Sequence, residues 1–234
     1  MMMEETGNYL RLSGNLAESP SYGHEVFGEK FYYATLSVPR LSGTEDMLPI
    51  TLSERLIDGM TLTVGTPLSI EGQLRSYNKV IEGAGRLLIT GFAQRLMPTD
   101  DGENPNQIEL QGALCKPPSY RTTPFGREIA DLMLAVNRAY GKSDYIPCIT
   151  WGRTARFASH LKVGDRVHLM GRFQSRAYQK QLADGTVLNK MAYEVSVGRL
   201  SMAGESPLSS EAGIHVQYAD EVAREIAHTA QQLQ

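Results

Sequence analysis

Cysteine is nearly absent from this chain. Cys115 and Cys148 are the only two in 234 residues, and no CxxC occurs. A cysteine-rich zinc site and a disulfide framework are thereby excluded, and two such thiols fit a reducing cytoplasm. Long apolar runs are missing as well. None approaches the roughly 20 residues that cross a bilayer as a helix. Nothing at the N terminus has the layout of a secretory signal, so a cytoplasmic protein with no membrane partner is expected. Catalytic signatures are also lacking: there is no P-loop and no GxSxG elbow. Of the histidines His24, His160, His168, His215 and His228, no pair stands at metal-ligand spacing with a carboxylate or cysteine. Glu18, Glu25 and Glu29 suggest no paired-carboxylate site. No enzyme, metal or cofactor is expected.

What is present is a repeat. NYLRLSGNLAESPSYGHEVFGEKFYYATLSVPR (8–40) overlies NQIELQGALCKPPSYRTTPFGREIADLMLAVNR (106–138) at a constant offset. The pairs Asn8/Asn106, Gly14/Gly112, Pro20/Pro118, Phe27/Phe125, Gly28/Gly126 and Arg40/Arg138 are identical. One inserted residue later, VGTPLSIEGQLRS (64–76) matches VGDRVHLMGRFQS (163–175). A repeat of this length that keeps its glycines is one domain used twice. The joint is PTDDGENPN (98–106), a run of acids and turn formers. The expected organisation is domain 1 at 1–98, an acidic linker at 99–105, domain 2 at 106–200 and a tail at 201–234.

The second copy reads as β structure. IELQGAL (108–114) alternates and contains a glycine, as a bent strand does. FGREIADLMLAVNR (125–138) has a helix-like composition, but its counterpart FGEKFYYATLSVPR (27–40) is strand-like, and a repeat shares one fold. YIPCITWG (145–152) is a third strand, ARFASHL (155–161) a short helix and KVGD (162–165) a turn. The strands 166–180 and 189–200 follow, around an ADG turn (183–185). Five strands with a short helix between the third and fourth is the OB-fold pattern. The expected class is therefore mainly β: two tandem five-stranded OB-fold barrels. A C-terminal tail, helical from about Tyr218, carries a thin apolar stripe of Val222, Ile226 and Leu233.

Charge and parity single out one strand. Residues 106–200 hold 14 Lys/Arg against 7 Asp/Glu, net +7, while residues 8–98 hold 8 against 9. In RVHLMGRFQSRAYQK (166–180) the odd positions Val167, Leu169, Gly171, Phe173, Ser175 and Ala177 are small or apolar. The even positions include Arg166, His168, Arg172, Arg176, Tyr178 and Lys180. Alternate side chains of a strand point to opposite faces, so one face is core and the other cationic. Tyr145 and Trp151 share parity on the preceding strand. A lone tryptophan is more often core than platform, and that shared parity is what assigns Trp151 to the face. Cations that track phosphates beside rings that stack on bases are what sequence-tolerant single-strand binding needs.

These pieces, in this order, resemble a bacterial single-stranded DNA-binding protein (SSB). The match rests on NQIELQGAL, on ITWG, on the helix and Gly turn ahead of VHLMGRFQSR, and on the closing hairpin with YEV. It covers about residues 8–98 and 106–200. The resemblance implies base stacking by Tyr145, Trp151 and Tyr178, with Arg138, Tyr140 and Lys142 in a contacting loop. Arg153, Arg166, His168, Arg172, Arg176 and Lys180 complete the expected DNA-binding set. It also implies a role in DNA replication, recombination or repair, and a homodimer presenting four OB folds. This chain lacks the family's acidic, Pro- and Phe-ended tail tip, so recruitment of other replication proteins is not carried over. At the positions matching Arg166, Arg172 and Arg176 the first copy has Pro67, Gln73 and Tyr77. The first copy is accordingly expected to bind weakly or to serve assembly. Two other readings stand beside this one: a primosome-like protein-interaction module built on OB folds, and an RNA-binding OB protein.

Overall fold

The computed structural model describes residues 7–81, 83–97, 104–138, 141–181 and 185–204. The first copy contributes β1 (Asn8–Leu16), β2 (Ser21–Val26), β3 (Glu29–Pro39), β4 (Glu45–Ser53), α1 (Glu54–Ile57), β5 (Pro67–Ile81) and β6 (Ala84–Met97). The second contributes β7 (Asn106–Leu114), β8 (Ser119–Thr122), β9 (Glu128–Asn137), β10 (Ser143–Trp151), α2 (Gly152–Ser159), β11 (Arg166–Gln181) and β12 (Val187–Met202).

Alternation drives these strands. Along β1 Leu10, Leu12 and Leu16 are buried, and along β7 Ile108, Leu110 and Leu114. Each copy closes on itself in the order β1-β5-β6-β4-β3-β1 and β7-β11-β12-β10-β9-β7, with β4 parallel to β6 and β10 parallel to β12. This is the expected OB barrel, twice. The bend that closes each ring falls at a glycine. Gly112 lies opposite Val167 of β11, and the next residue, Ala113, lies opposite Ala135 of β9. A Cβ at Gly112 would collide with the Ala135 carbonyl oxygen, so only glycine lets β7 turn from one partner to the other.

Three details differ from the sequence reading. Each copy has a sixth strand, β2 or β8, added to the barrel's β3 or β9. All four residues of β8 are exposed, so it carries no alternation by which a sequence could announce it. The helix α2 starts at Gly152 rather than at 155, behind Trp151, whose side chain makes no capping bond. Without a Ser, Thr or Asp cap its start leaves no mark. Finally β9 begins at Glu128, because Phe125 and Gly126 form the hairpin turn. The proposed linker lies outside the described residues up to 103, and the helical tail lies outside them from 205. Of the stretch assigned to the tail, Met202 and the residue before it extend β12.

The barrels share one 12-stranded sheet because β1 pairs antiparallel with β7. Asn8 opposes Leu110 and Leu12 opposes Asn106, a register that maps onto itself when the repeat is exchanged. The copies therefore meet as the halves of a two-fold dimer would. Asn8 Nδ2 donates to the Leu74 carbonyl at 2.7 Å, and Asn106 Nδ2 to that of Phe173 at 2.6 Å. Beside them lies a duplicated ion pair. Arg40 Nε donates to Asp46 Oδ2 at 2.7 Å, and Arg138 Nε to Asp144 Oδ2 at 2.5 Å. Each carboxylate reaches across to the other copy: the Ser175 N–H donates to Asp46 at 2.7 Å, and the Ser76 N–H to Asp144 at 2.5 Å.

Candidate nucleic-acid interface

The parity read along β11 holds over most of its length. Val167, Leu169 and Phe173 are buried, while Arg166, Met170, Arg176 and Tyr178 are exposed. The ladder shifts register between Met170 and Gly171, but the extra residue is Gly198 of β12, so the alternation of β11 survives the bulge. Gln174 departs from the pattern. It is buried and donates to Glu194 Oε1 at 3.0 Å. Beyond Ser175 both faces are open, as exposed Ala177 and Gln179 show, because the β11–β12 hairpin runs past the barrel into solvent.

Register brings the separate strands to one surface, since directly opposed residues share a face. Arg172 opposes Ser196, Ser196 is paired with Ile149, and Ile149 opposes Asp131. On β10, Tyr145 and Trp151 have the parity of Ile149. On β11, Arg176 and Tyr178 have the parity of Arg172, and Tyr178 faces Lys190. Arg172, Arg176, Tyr178, Tyr145 and Trp151 thus lie on one outer face. Tyr145 is 46% exposed and Tyr178 39%, with Trp151 half-buried. Lys190, which the sequence reading passed over, joins them.

The rest of the expected set is distributed elsewhere. Arg166 and His168 lie at the far end of β11, over β7, where His168 Nε2 sits 2.7 Å from Glu109 Oε1. Arg153 is exposed on the first turn of α2, and Lys142 is exposed just before β10. Lys180 is placed by its backbone alone, opposite Leu188. Tyr140 lies outside the described residues. Arg138 is held in the seam by Asp144 and donates to the first copy's Ser76 carbonyl at 3.1 Å.

A reading of one strand could not see the acids on its neighbours. Arg176 Nε donates to the buried Glu194 at 3.0 Å, and that bond holds the Arg176 guanidinium above its ordinary pKa. Arg121 pairs with Asp131. Arg156 Nε donates to Glu128 at 2.5 Å, and the Tyr120 hydroxyl also donates to Glu128 at 2.5 Å. Those two bonds hold the Glu128 carboxyl below the usual range. A phosphate that met these arginines would exchange with a carboxylate rather than with water. Replacing Glu194 by Gln, which keeps the shape and removes the charge, is expected to strengthen binding to oligo-dT at low salt. The log–log salt slope should steepen by about 0.7 for the one cation released. Titration of both proteins at several salt concentrations measures this, and an unchanged slope refutes it.

The first barrel carries a different chemistry on the matching face. Gln73 opposes Phe92, Phe92 is paired with Thr51, and Thr51 opposes Tyr33. The rings of His24 and Phe31 stack at 5.1 Å, and Phe31 and Phe92 lie 5.7 Å apart. Arg75 stands 5.6 Å above the Phe92 ring. The expectation that the first copy binds weakly or serves assembly rested on the cations replaced by Pro67, Gln73 and Tyr77. It overlooked aromatics scattered over β2, β3, β5 and β6, which no single-strand pattern connects.

Two tandem OB barrels whose outer faces interleave rings with guanidinium groups define a tandem OB-fold protein. No group of three or more His, Cys, Asp or Glu among the described residues could hold a metal. The match to the single-strand binding protein family spans residues 105–203, the whole second barrel. Single-stranded DNA-binding protein B of Bacillus subtilis is 36% identical over 83 residues, which cover 32% of this chain and 74% of that protein. Single-stranded DNA-binding protein A of the same organism is 40% identical over 83 residues, 32% of this chain and 48% of that one. The chain spans about half the length of most curated relatives it matches. The wild-type single-stranded DNA binding protein of Thermus aquaticus shares the fold at a TM-score of 0.62 and 22% identity, over 88% of this chain and 98% of that one. The chain belongs to the single-strand binding protein family, and the relatives are binding proteins rather than enzymes.

Proposed function

We propose that the chain binds single-stranded DNA with little regard to sequence, in DNA replication, recombination or repair. The observation that carries this is the register that gathers Tyr145, Trp151, Tyr178, Arg172 and Arg176 on one face of the second barrel. Rings that stack on any base and cations that meet any phosphate favour the strand without favouring a sequence. The relatives, named as single-stranded DNA-binding proteins, point the same way. A duplex hides its base faces in the stack, so it cannot use the tyrosines. Binding of oligo-dT, oligo-U and a duplex of equal length, each at two salt concentrations, tests the reading. Tight oligo-dT binding with a weak duplex is the expected result. Preference for oligo-U would favour RNA, and no binding would favour a protein-interaction module.

The intrachain two-fold leaves each molecule with two barrels, and we infer that two chains associate to present four, as two-fold dimers are the commonest oligomer. Light scattering should give about twice the 25.9 kDa of one chain, and a value of one chain at micromolar concentration overturns this. The setting we infer is cytoplasmic. No described helix is long and apolar enough to cross a membrane, and Cys115 and Cys148 are unpaired thiols, Cys148 being held protonated by burial.

A further inference from the structure

The two copies carry one surface feature with opposite charge, at ends that the internal two-fold makes equivalent. We propose that the first-barrel end of one chain docks on the second-barrel end of another, so that molecules join head to tail. The inference goes beyond single-strand binding and does not depend on it.

At the first end the β2–β3 hairpin carries Phe27 with its side chain fully exposed. Its φ is 51°, the only positive value of a non-glycine among the described residues. Bulky L side chains rarely adopt that conformation, and Phe27 gains no burial in its own chain to offset it. The matching Phe125, at the β8–β9 turn, is 84% exposed. Rings kept at one place in both repeats and belonging to neither core are suited to being covered by another molecule.

An ion pair ties each hairpin to the helix beside it, with the signs exchanged between copies. In the first copy Lys30 Nζ of β3 donates to Glu54 Oε1 of α1 at 3.1 Å. In the second Arg156 Nε of α2 donates to Glu128 Oε2 of β9 at 2.5 Å. Lys30 and Glu128 occupy equivalent positions of the repeat.

The surrounding charge follows the same exchange. Residues 24–30 and 54–64 hold Glu25, Glu29, Glu54 and Asp58 against Lys30 and Arg55, net −2. The matching residues 122–128 and 153–163 hold Arg127, Arg153, Arg156 and Lys162 against Glu128, net +3. Like ends repel and unlike ends attract. Lys30 and Glu54 of one chain can meet Glu128 and Arg156 of the next, each cation facing a second carboxylate. Phe27 then covers the exposed Phe157, one position from Arg156 on α2. Exposed ion pairs contribute little one by one, so charge selects which ends meet and the rings supply the buried area. Head-to-tail contacts do not close as a two-fold does. Chains therefore add in a row, in addition to the closed pair inferred above.

Sedimentation velocity of the full chain without DNA tests this. At about 0.1 M salt, where the Debye length is about 10 Å, mass should rise with protein concentration without levelling at two chains. At about 1 M, where that length is about 3 Å, the growth should vanish. Lys30→Glu and Glu128→Lys should each abolish growth alone, by setting like charges face to face. An equimolar mixture of the two should restore it, because the altered end of one complements the altered end of the other. Phe27→Asn, a residue that tolerates positive φ, should also abolish growth, with a melting temperature equal to or above that of the wild type. Misfolding then cannot account for the loss. A wild-type mass independent of concentration overturns the proposal. So does growth that survives any of the three substitutions, or a mixture that fails to restore it. With no DNA present, none of these results touches the single-strand reading.

Discussion

Replacing Asp144 by Ala is expected to lower the unfolding free energy by about 3–5 kcal/mol, the cost of leaving a buried charge without its partner. Asp144 is fully buried, and its carboxylate accepts from Arg138 and from the Ser76 N–H. Arg75 stands at the edge of the same group. Removing the carboxylate leaves two guanidiniums facing each other and a buried N–H with no acceptor. The loss reaches beyond stability. The Tyr145 N–H donates to Ser76 Oγ at 2.7 Å, so the seam fixes Tyr145, proposed to stack on a base, to the strand that carries Arg75 and Tyr77 of the other barrel. The internal two-fold predicts that Asp46→Ala costs a similar amount, through Arg40 and Ser175. Asp144→Leu combined with Arg138→Met should recover only part of the loss, since it removes the unpaired Arg138 charge but still leaves the Ser76 N–H and Arg75 without their acceptor. Thermal or urea unfolding of the four proteins measures this. A single substitution that leaves the midpoint within experimental scatter would show that the seam contributes little.

Much of the fold was legible because it is periodic. The repeat, the core leucines of β1 and β7, and the parity of β11 are local patterns, and each strand they announced is present. The bent strand at Gly112 was readable from one glycine in an alternating run. What joins the copies was not readable. Arg138, just past β9, and Asp144, on β10, stand six positions apart, and the family resemblance marks Arg138 as a DNA contact rather than as half of an ion pair. They become a clamp only when Ser76, 68 residues from Asp144, arrives between them. The basic face suffered the same blindness. Glu194 is separated from Arg176 by 18 positions and meets it only because Gln174, which also bonds Glu194, is opposed to it across the β11–β12 ladder. Positions along one strand give the face of a side chain. Partners across a sheet set its charge, and those depend on register.

That distinction bears on where affinity originates. With Arg176, Arg121 and Arg156 already facing carboxylates, phosphate contacts gain less than bare cations would, and stacking must supply a larger share. The double variant Tyr145→Ala with Tyr178→Ala is therefore expected to lose about 2–6 kcal/mol of single-strand binding, from about 1–3 kcal/mol per base stacked. That corresponds to roughly 30-fold at the low end. Both rings are more than a third exposed and belong to none of the core, so the melting temperature should hardly move. The salt slope should also stay nearly constant, because a ring releases no counterion. Three measurements on one protein thus separate the possibilities. Weaker binding at constant slope and constant melting temperature is the signature of stacking. Unchanged affinity would mean that the rings of this face do not touch the strand. A lowered melting temperature with unchanged affinity would mean that the exposed tyrosines brace the β10 and β11 strands instead.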